Sequence, residues 1–288
     1  MHYKLKYIDK NFIPLDTLPI HLGNLCHKIK ELQMSSQDYT YEYLMQILEE
    51  GYVDESNPRE SVMGLNSIKS KFYEEFYEVS SKSGLDYRQK IENFKENIKK
   101  DMKKDDWEIL AVEQLFEFEY EDVIITGKID RIDRNLNTNE IRVIDYKTSD
   151  KPFDEKELPT ALQMYIYNLA IENIYGIFPT VNKYVFLFLD KEQYALTKGW
   201  ESRGAKALSK LTEDMKGSYV SNEFVPKPSP LCAFCGFSGS GYVKNEATNG
   251  MCQYYSLWTR EDKTFEVNKK YDPLTHDNNA PTKNNFVW

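Results

Sequence analysis

The chain has 288 residues and a mass of 33.9 kDa, enough for one large domain or two modest ones. Hydrophobic residues make up 41% and charged residues 29%, and there are 21 Tyr, 15 Phe and 4 Trp, so a packed core forms and global disorder is excluded. The net charge of −9 argues against a uniformly basic nucleic-acid coat, but a local basic groove can coexist with carboxylates that hold a metal. No apolar run reaches the roughly 20 residues that span a bilayer, and the start, MHYKLKYIDKNF, lacks a secretory apolar stretch. A cytoplasmic protein is the expectation, with no membrane partner.

Residues 1–20, with Pro14 and Pro19, read as a short extended arm. From Gly23 to about Glu50 the spacing of Leu25, Ile29 and Leu32, then of Tyr43, Leu44 and Ile47, predicts helix. Residues 51–60 read as a loop. Residues 61–104 read as two helices divided at Ser83-Gly84, ending in the basic run Lys99–Lys104. The pattern then changes period. Residues 107–118, 123–134 and 140–148 alternate like strands and predict an antiparallel meander. A helix is expected over Pro159–Tyr175, a buried strand over Val181–Asp190 paired with 193–198, and a helix over 201–217. A Pro-rich link, Val225–Pro230, leads to a cysteine segment, and the last 25 or so residues read as an irregular tail.

The chemistry concentrates in the second hairpin, Gly127-Lys-Ile-Asp130-Arg-Ile-Asp-Arg followed by Val143-Ile-Asp145-Tyr-Lys147-Thr. Alternation along a strand places Asp145 and Lys147 on one face and Tyr146 on the other. A tight turn at Asn137-Thr138 sets Asp130 opposite Asp145, Lys128 opposite Lys147 and Ile132 opposite Val143. A one-residue slip would undo this register. Two carboxylates that close repel unless a cation lies between them, and hard oxygen ligands favour Mg²⁺ or Mn²⁺. Such an ion activates water and stabilises phosphoryl charge, and a neighbouring lysine adds to that stabilisation. The bland alternative is a pair of surface salt bridges, Asp130–Lys128 and Asp145–Lys147.

The series Asp130-x14-Asp145-Tyr146-Lys147 resembles the PD-(D/E)XK nuclease superfamily, in particular its RecB-like branch. Gly23-Asn-Leu-Cys-His27 resembles that branch's Gly-x3-His element, and Gln163-Met-Tyr-Ile-Tyr167 its Gln-x3-Tyr element. The resemblance implies an α/β restriction-endonuclease-like core, a mixed β-sheet flanked by helices, with a helical insertion at about 51–104. It covers roughly residues 20–255 and implies a RecB-like domain over 1–258 with a cysteine-cluster segment at 226–258, while residues 259–288 read from their composition as a flexible tail. It makes His27, Asp130 and Asp145 metal ligands, with the Tyr146 carbonyl as a further one. Lys147 becomes the catalytic lysine, with Asp130, Asp145, Gln163 and Tyr167 completing the catalytic group. Glu113 matches a recurrent family acid in the preceding strand. Lys128, although on the metal face in this register, takes no role from the family.

Cys232-Ala-Phe-Cys235 and Cys252 resemble the C-terminal part of the branch's four-cysteine iron–sulfur motif, with a long final spacing. Cys26 is the sole candidate for the fourth ligand, and it follows the family position less well than the other three. A [4Fe–4S] cluster, a zinc site and no site at all stay open, as does a purely apolar role for Cys26. The implied activity is Mg²⁺- or Mn²⁺-dependent DNA hydrolysis, as an exonuclease on single strands or duplex ends, in repair, recombination or replication with a helicase or recombination partner. A non-catalytic nucleic-acid or partner-binding module is the alternative. The chain contains no Gly-x4-Gly-Lys-[Ser/Thr] phosphate loop, so it does not itself drive unwinding with ATP.

Overall fold

The computed structural model describes residues 16–35, 37–101, 106–154, 162–179, 181–196, 201–223, 256–258 and 265–267. The chain divides into two compact units, one of residues 16–213 and one of residues 1–15 with 214–288.

The larger unit opens with helix α1 (Leu18–Met34), so the first turn of helix replaces the end of the expected arm. Pro19 favours that start because a first-turn residue needs no intrahelical N–H bond. Leu18, Leu22, Leu25, Ile29 and Leu32 recur every three or four residues and are buried. The expected single helix to Glu50 is broken at the polar stretch 35–40. Helix α2 (Tyr41–Glu50) restarts there, capped by Thr40 accepting a hydrogen bond from the Tyr43 N–H. The expected loop 51–60 holds a two-residue strand β1 (Gly51–Tyr52) and a 3₁₀ turn (Pro58–Glu60). Strand β1 pairs antiparallel with β2 (Val62–Met63). Helices α3 (Leu65–Lys71), α4 (Tyr73–Tyr77) and α5 (Tyr87–Asp101) follow. The first of the two helices expected over 61–104 is thus itself split, and the break at Ser83-Gly84 lies between α4 and α5.

A five-stranded sheet forms the centre, in the order β3 (Trp107–Tyr120), β4 (Val123–Asn135), β5 (Ile141–Lys147), β6 (Val181–Phe186), β7 (Lys191–Leu196). Strands β3–β4–β5 form the expected antiparallel meander, and β6–β7 is a further antiparallel pair. Strand β5 runs parallel to β6, and the crossover between them carries helix α6 (Leu162–Tyr175). Helix α7 (Glu201–Ser221) extends four residues past its expected end.

The sheet is covered on both faces. Ile144, Tyr146, Val185 and Leu187 pack with α1, α2, α3 and α5 in one core cluster. Ile132, Val143, Tyr184 and Phe186 pack with Met164, Tyr167, Ala170 and Ile171 of α6 in the other. At the meander's edge Gly127 lies under the Phe116 ring, where an added Cβ would come within 2.4 Å of the ring. Gly127→Ala is expected to lower stability by about 1–3 kcal/mol through overpacking, read as a shift in denaturation midpoint at unchanged slope.

In the smaller unit, strands β8 (Ser256–Trp258) and β9 (Phe265–Val267) pair antiparallel. Strand β9 lies within the stretch expected to be an irregular tail. No helix among the described residues is long and apolar enough to cross a membrane.

Candidate metal and nuclease site

Over residues 131–134 the β4–β5 hairpin has the register expected from its turn, and the expected pairs Asp130–Asp145 and Lys128–Lys147 lie beyond the ladder. Arg131 pairs with Ile144, Ile132 with Val143, Asp133 with Arg142 and Arg134 with Ile141. The Asn135 side chain accepts from the N–H groups of Asn137 and Thr138, and Asn139 takes a left-handed φ of 59°. The regular ladder stops at Arg131–Ile144. One step further, the Tyr146 N–H donates to Asp130 Oδ2 at 2.8 Å, so a carboxylate continues where backbone pairing ends.

Two aspartates three residues apart have different fates. Asp133 is buried and saturated: Arg131 Nε donates to it at 2.6 Å, and Arg142 Nε and Nη2 at 3.0 and 2.8 Å. It ties the hairpin together. Asp130 keeps its Oδ1 directed toward His27, whose Nδ1 is 3.8 Å away.

His27 arrives from α1. Ile20, Gly23, Asn24, His27 and Glu31, at helical spacing, line one cleft of about 510 Å³ with Arg59, Glu113, Lys128 and Asp130. Gly23 sits one turn before His27, and a Cβ there would just touch Thr148 Oγ1 at 3.5 Å. A Cβ would be in ordinary contact there, so α1 passes close to Thr148 at the end of β5.

Glu113 completes a group with His27 and Asp130, whose nearest ligand atoms all lie within 4.8 Å of one another. Its φ is 51°, a left-handed conformation inside a strand. Such a backbone costs of order 1–3 kcal/mol and takes the residue out of simple strand alternation. Strand β3 also shifts register between Ile109 and Ala111. One imidazole nitrogen and two carboxylates suit a divalent cation of the Mg²⁺ or Mn²⁺ kind.

Asp145 is placed differently from the expected ligand set. Its Oδ2 lies 2.6 Å from Lys147 Nζ. Lys147 Nζ also donates to Gln163 Oε1 at 3.1 Å, and Gln163 Nε2 donates to the Tyr167 hydroxyl at 2.9 Å. One turn of α6 therefore delivers Gln163 to the lysine and Tyr167 to Gln163. Tyr146 turns its ring to the other face, where the buried Lys30 ammonium lies 5.2 Å from the ring centroid. Lys30 is held by Asn97, Gln33 and Asp101, so α1 and α5 brace β5 from behind.

Burial sets the electrostatics. Desolvation pushes the Asp130 and Asp145 carboxyls up to about 6, against the Tyr146 N–H for Asp130 and against Lys147 for Asp145. Burial pulls His27 below the usual imidazole range, which favours the neutral form that ligates metal.

Of the four cysteines, Cys232, Cys235 and Cys252 lie outside the described residues. Cys26 is fully buried in the cluster with Leu22, Leu25 and Ile29, and burial raises its thiol far above the usual range. Those are the surroundings of an apolar packing residue. The fourth-ligand role expected of Cys26 would need Cys232, Cys235 and Cys252 beside it, and those lie outside the described residues.

The sequence places Glu113 less firmly than the hairpin residues, and the turn that fixes its register shows in the backbone. Glu121 and Asp122 both have positive φ (48° and 62°), the mark of a two-residue hairpin turn. That turn pairs Tyr120 with Val123 and carries Val112 opposite Arg131 and Gln114 opposite Ile129. Glu113 is bracketed opposite Asp130.

A five-stranded mixed sheet with helices on both faces, and an acidic hairpin at the end of its central strands, is a restriction-endonuclease-like α/β core. The chain belongs to the PD-(D/E)XK nuclease superfamily, whose family model matches residues 1–240. It is also similar to the Gene 69 protein of Mycobacterium phage D29, with 29% identity over 138 residues. That match covers 45% of this chain and 47% of the phage protein, so the chain spans about half the length of the curated relative it matches.

Proposed function

We propose that the protein is a divalent-metal-dependent DNA nuclease of the RecB-like branch, acting as an exonuclease in repair, recombination or replication. The observation that carries this reading is the convergence of two groups at one hairpin: His27, Glu113 and Asp130 on one side, and Asp145, Lys147 and Gln163 on the other. In this reading His27, Glu113 and Asp130 would hold Mg²⁺ or Mn²⁺, and the resemblance adds Asp145 and the Tyr146 carbonyl as further ligands. The ion, when bound, supplies an activated water and neutralises phosphoryl charge.

The remaining steps fall to the chain itself. Asp145 and Gln163 hold the Lys147 ammonium group from two sides. A lysine so oriented stabilises the charge that develops on the phosphate, without reorganising during the reaction. Tyr167 fixes Gln163 and so acts as a positioning residue. The open cleft gives the backbone of a DNA strand access to the acids.

The spacing of Cys232, Cys235 and Cys252 supports a [4Fe–4S] or zinc site in the same reading, and no step of hydrolysis passes through it. A cytoplasmic setting and a helicase or recombination partner go with the proposed role.

Arg59 adds a prediction. Lys28 is committed to Glu31 and Glu60, at 2.6 and 3.1 Å, and the Glu60 bond ties the 3₁₀ turn to α1. Arg59, exposed on that turn, lines the cleft. Arg59→Ala is expected to weaken binding of a phosphorothioate oligonucleotide roughly three- to tenfold. It should also reduce the salt slope by about one phosphate contact, read by fluorescence anisotropy across a salt series.

The exonuclease assignment is tested with linear and circular single-stranded DNA, labelled at the 5′ or the 3′ end, in Mg²⁺ or Mn²⁺. Progressive shortening of linear DNA with circles left intact is the expected result. Cutting of circles would replace the assignment with an endonuclease.

A further inference from the structure

Lys128 is the cleft cation that the catalytic reading leaves unused. It stands on β4 two residues before Asp130, and its side chain is 47% exposed. It forms an ion pair with Glu113, the residue whose left-handed backbone helps place it beside His27 and Asp130. All four side chains line the same cleft.

The Glu113 carboxylate therefore serves two kinds of cation. A divalent ion shared by His27, Glu113 and Asp130 competes with the ammonium group for the same oxygens and repels it at short range. Lys128 is long, flexible and half-exposed, so it can swing into the open cleft at little cost in packing. There it meets the space that a nucleic-acid backbone would fill. A positive group released at that point binds a phosphodiester as a point charge. Lys28 is not free to act this way, since it is nearly buried and held by Glu31 and Glu60.

We propose that Lys128 is an exchangeable counter-ion of Glu113, which a divalent cation displaces, and that the displaced ammonium group binds the phosphodiester backbone of the substrate. This inference rests on the metal-site reading given under Proposed function. It adds a coupling: metal entry makes available a cation for the substrate.

The test measures two affinities of opposite sign on the full chain. Mn²⁺ binding is titrated calorimetrically, and binding of a phosphorothioate oligonucleotide is followed by anisotropy at saturating Mn²⁺. Lys128→Met is expected to bind Mn²⁺ about fivefold more tightly and the oligonucleotide about fivefold more weakly. Lys128→Arg, which keeps the charge, should bring both values back toward wild type. Lys128→Gln serves as a second neutral variant if the methionine form does not fold. Mn²⁺ affinity that is unchanged or weaker in the folded neutral variant would overturn the exchange, and unchanged oligonucleotide affinity would overturn the phosphate contact. Asp130→Asn separates the underlying reading: if it binds Mn²⁺ as wild type does, the metal site itself is misplaced, and the inference falls with it.

Discussion

Lys147→Ala is expected to lower the rate of DNA cleavage by about 10²–10³-fold while leaving divalent-metal binding nearly intact. The ammonium group is positioned by Asp145 at 2.6 Å and by Gln163 at 3.1 Å, and it lies outside the His27–Glu113–Asp130 group. Its loss removes a stabilising charge from the transition state without removing a proposed metal ligand. Lys147→Arg should rescue poorly, because a planar guanidinium cannot occupy the position of a compact ammonium between those two partners. Single-turnover cleavage, paired with Mn²⁺ titration of the same preparations, checks this. A variant that loses metal binding and cleavage together would place Lys147 in support of the metal site instead.

Asp130→Asn is expected to separate stability from function. Burial raises the Asp130 carboxyl to about 6, from an ordinary value of 3.8. The folded protein therefore holds that proton more tightly than the unfolded chain. The associated stability is fully present below about pH 4 and is lost as pH rises through about 6. At neutral pH the desolvated carboxylate costs about 2–3 kcal/mol. Asparagine removes the charge and keeps an oxygen for the Tyr146 N–H, which donates at 2.8 Å in the parent. In EDTA at about pH 7.5 the variant should unfold at higher denaturant concentration than wild type, and the gain should vanish near pH 4. Divalent metal should stabilise wild type but not the variant, and cleavage by the variant should be lost. Lower stability at both pH values would contradict the burial account.

The hairpin was legible because its turn and its pattern agree. Polar Asn135–Asn139 marks the turn, and Ile132, Ile141 and Val143 mark the buried face, so the register followed without tertiary information. The pairing of Asp145 with Lys147 on one strand face was equally legible. That Lys147 is shared between Asp145 and Gln163 was not legible in the strand pattern, since it depends on where α6 delivers Gln163. The structural role of Asp133 depends likewise on two arginines, one on its own strand and one across the hairpin. Helical periodicity carried the reading of α1 past its end, because residues 35–40 contain neither glycine nor proline to mark the break. Cys26 was legible in one respect only. Its spacing with Leu22 and Ile29 is that of a core stripe, and the structure buries all three.

The central claim is that this hairpin holds a metal-dependent nuclease site. The most direct measurement compares wild type with Lys147→Ala on end-labelled single- and double-stranded DNA, in Mg²⁺, in Mn²⁺ and in EDTA. The account predicts cleavage by wild type in metal, none in EDTA, and loss of cleavage in the variant. Wild-type protein that binds Mn²⁺ and DNA without cutting either substrate, or a variant that cuts at the wild-type rate, would contradict it.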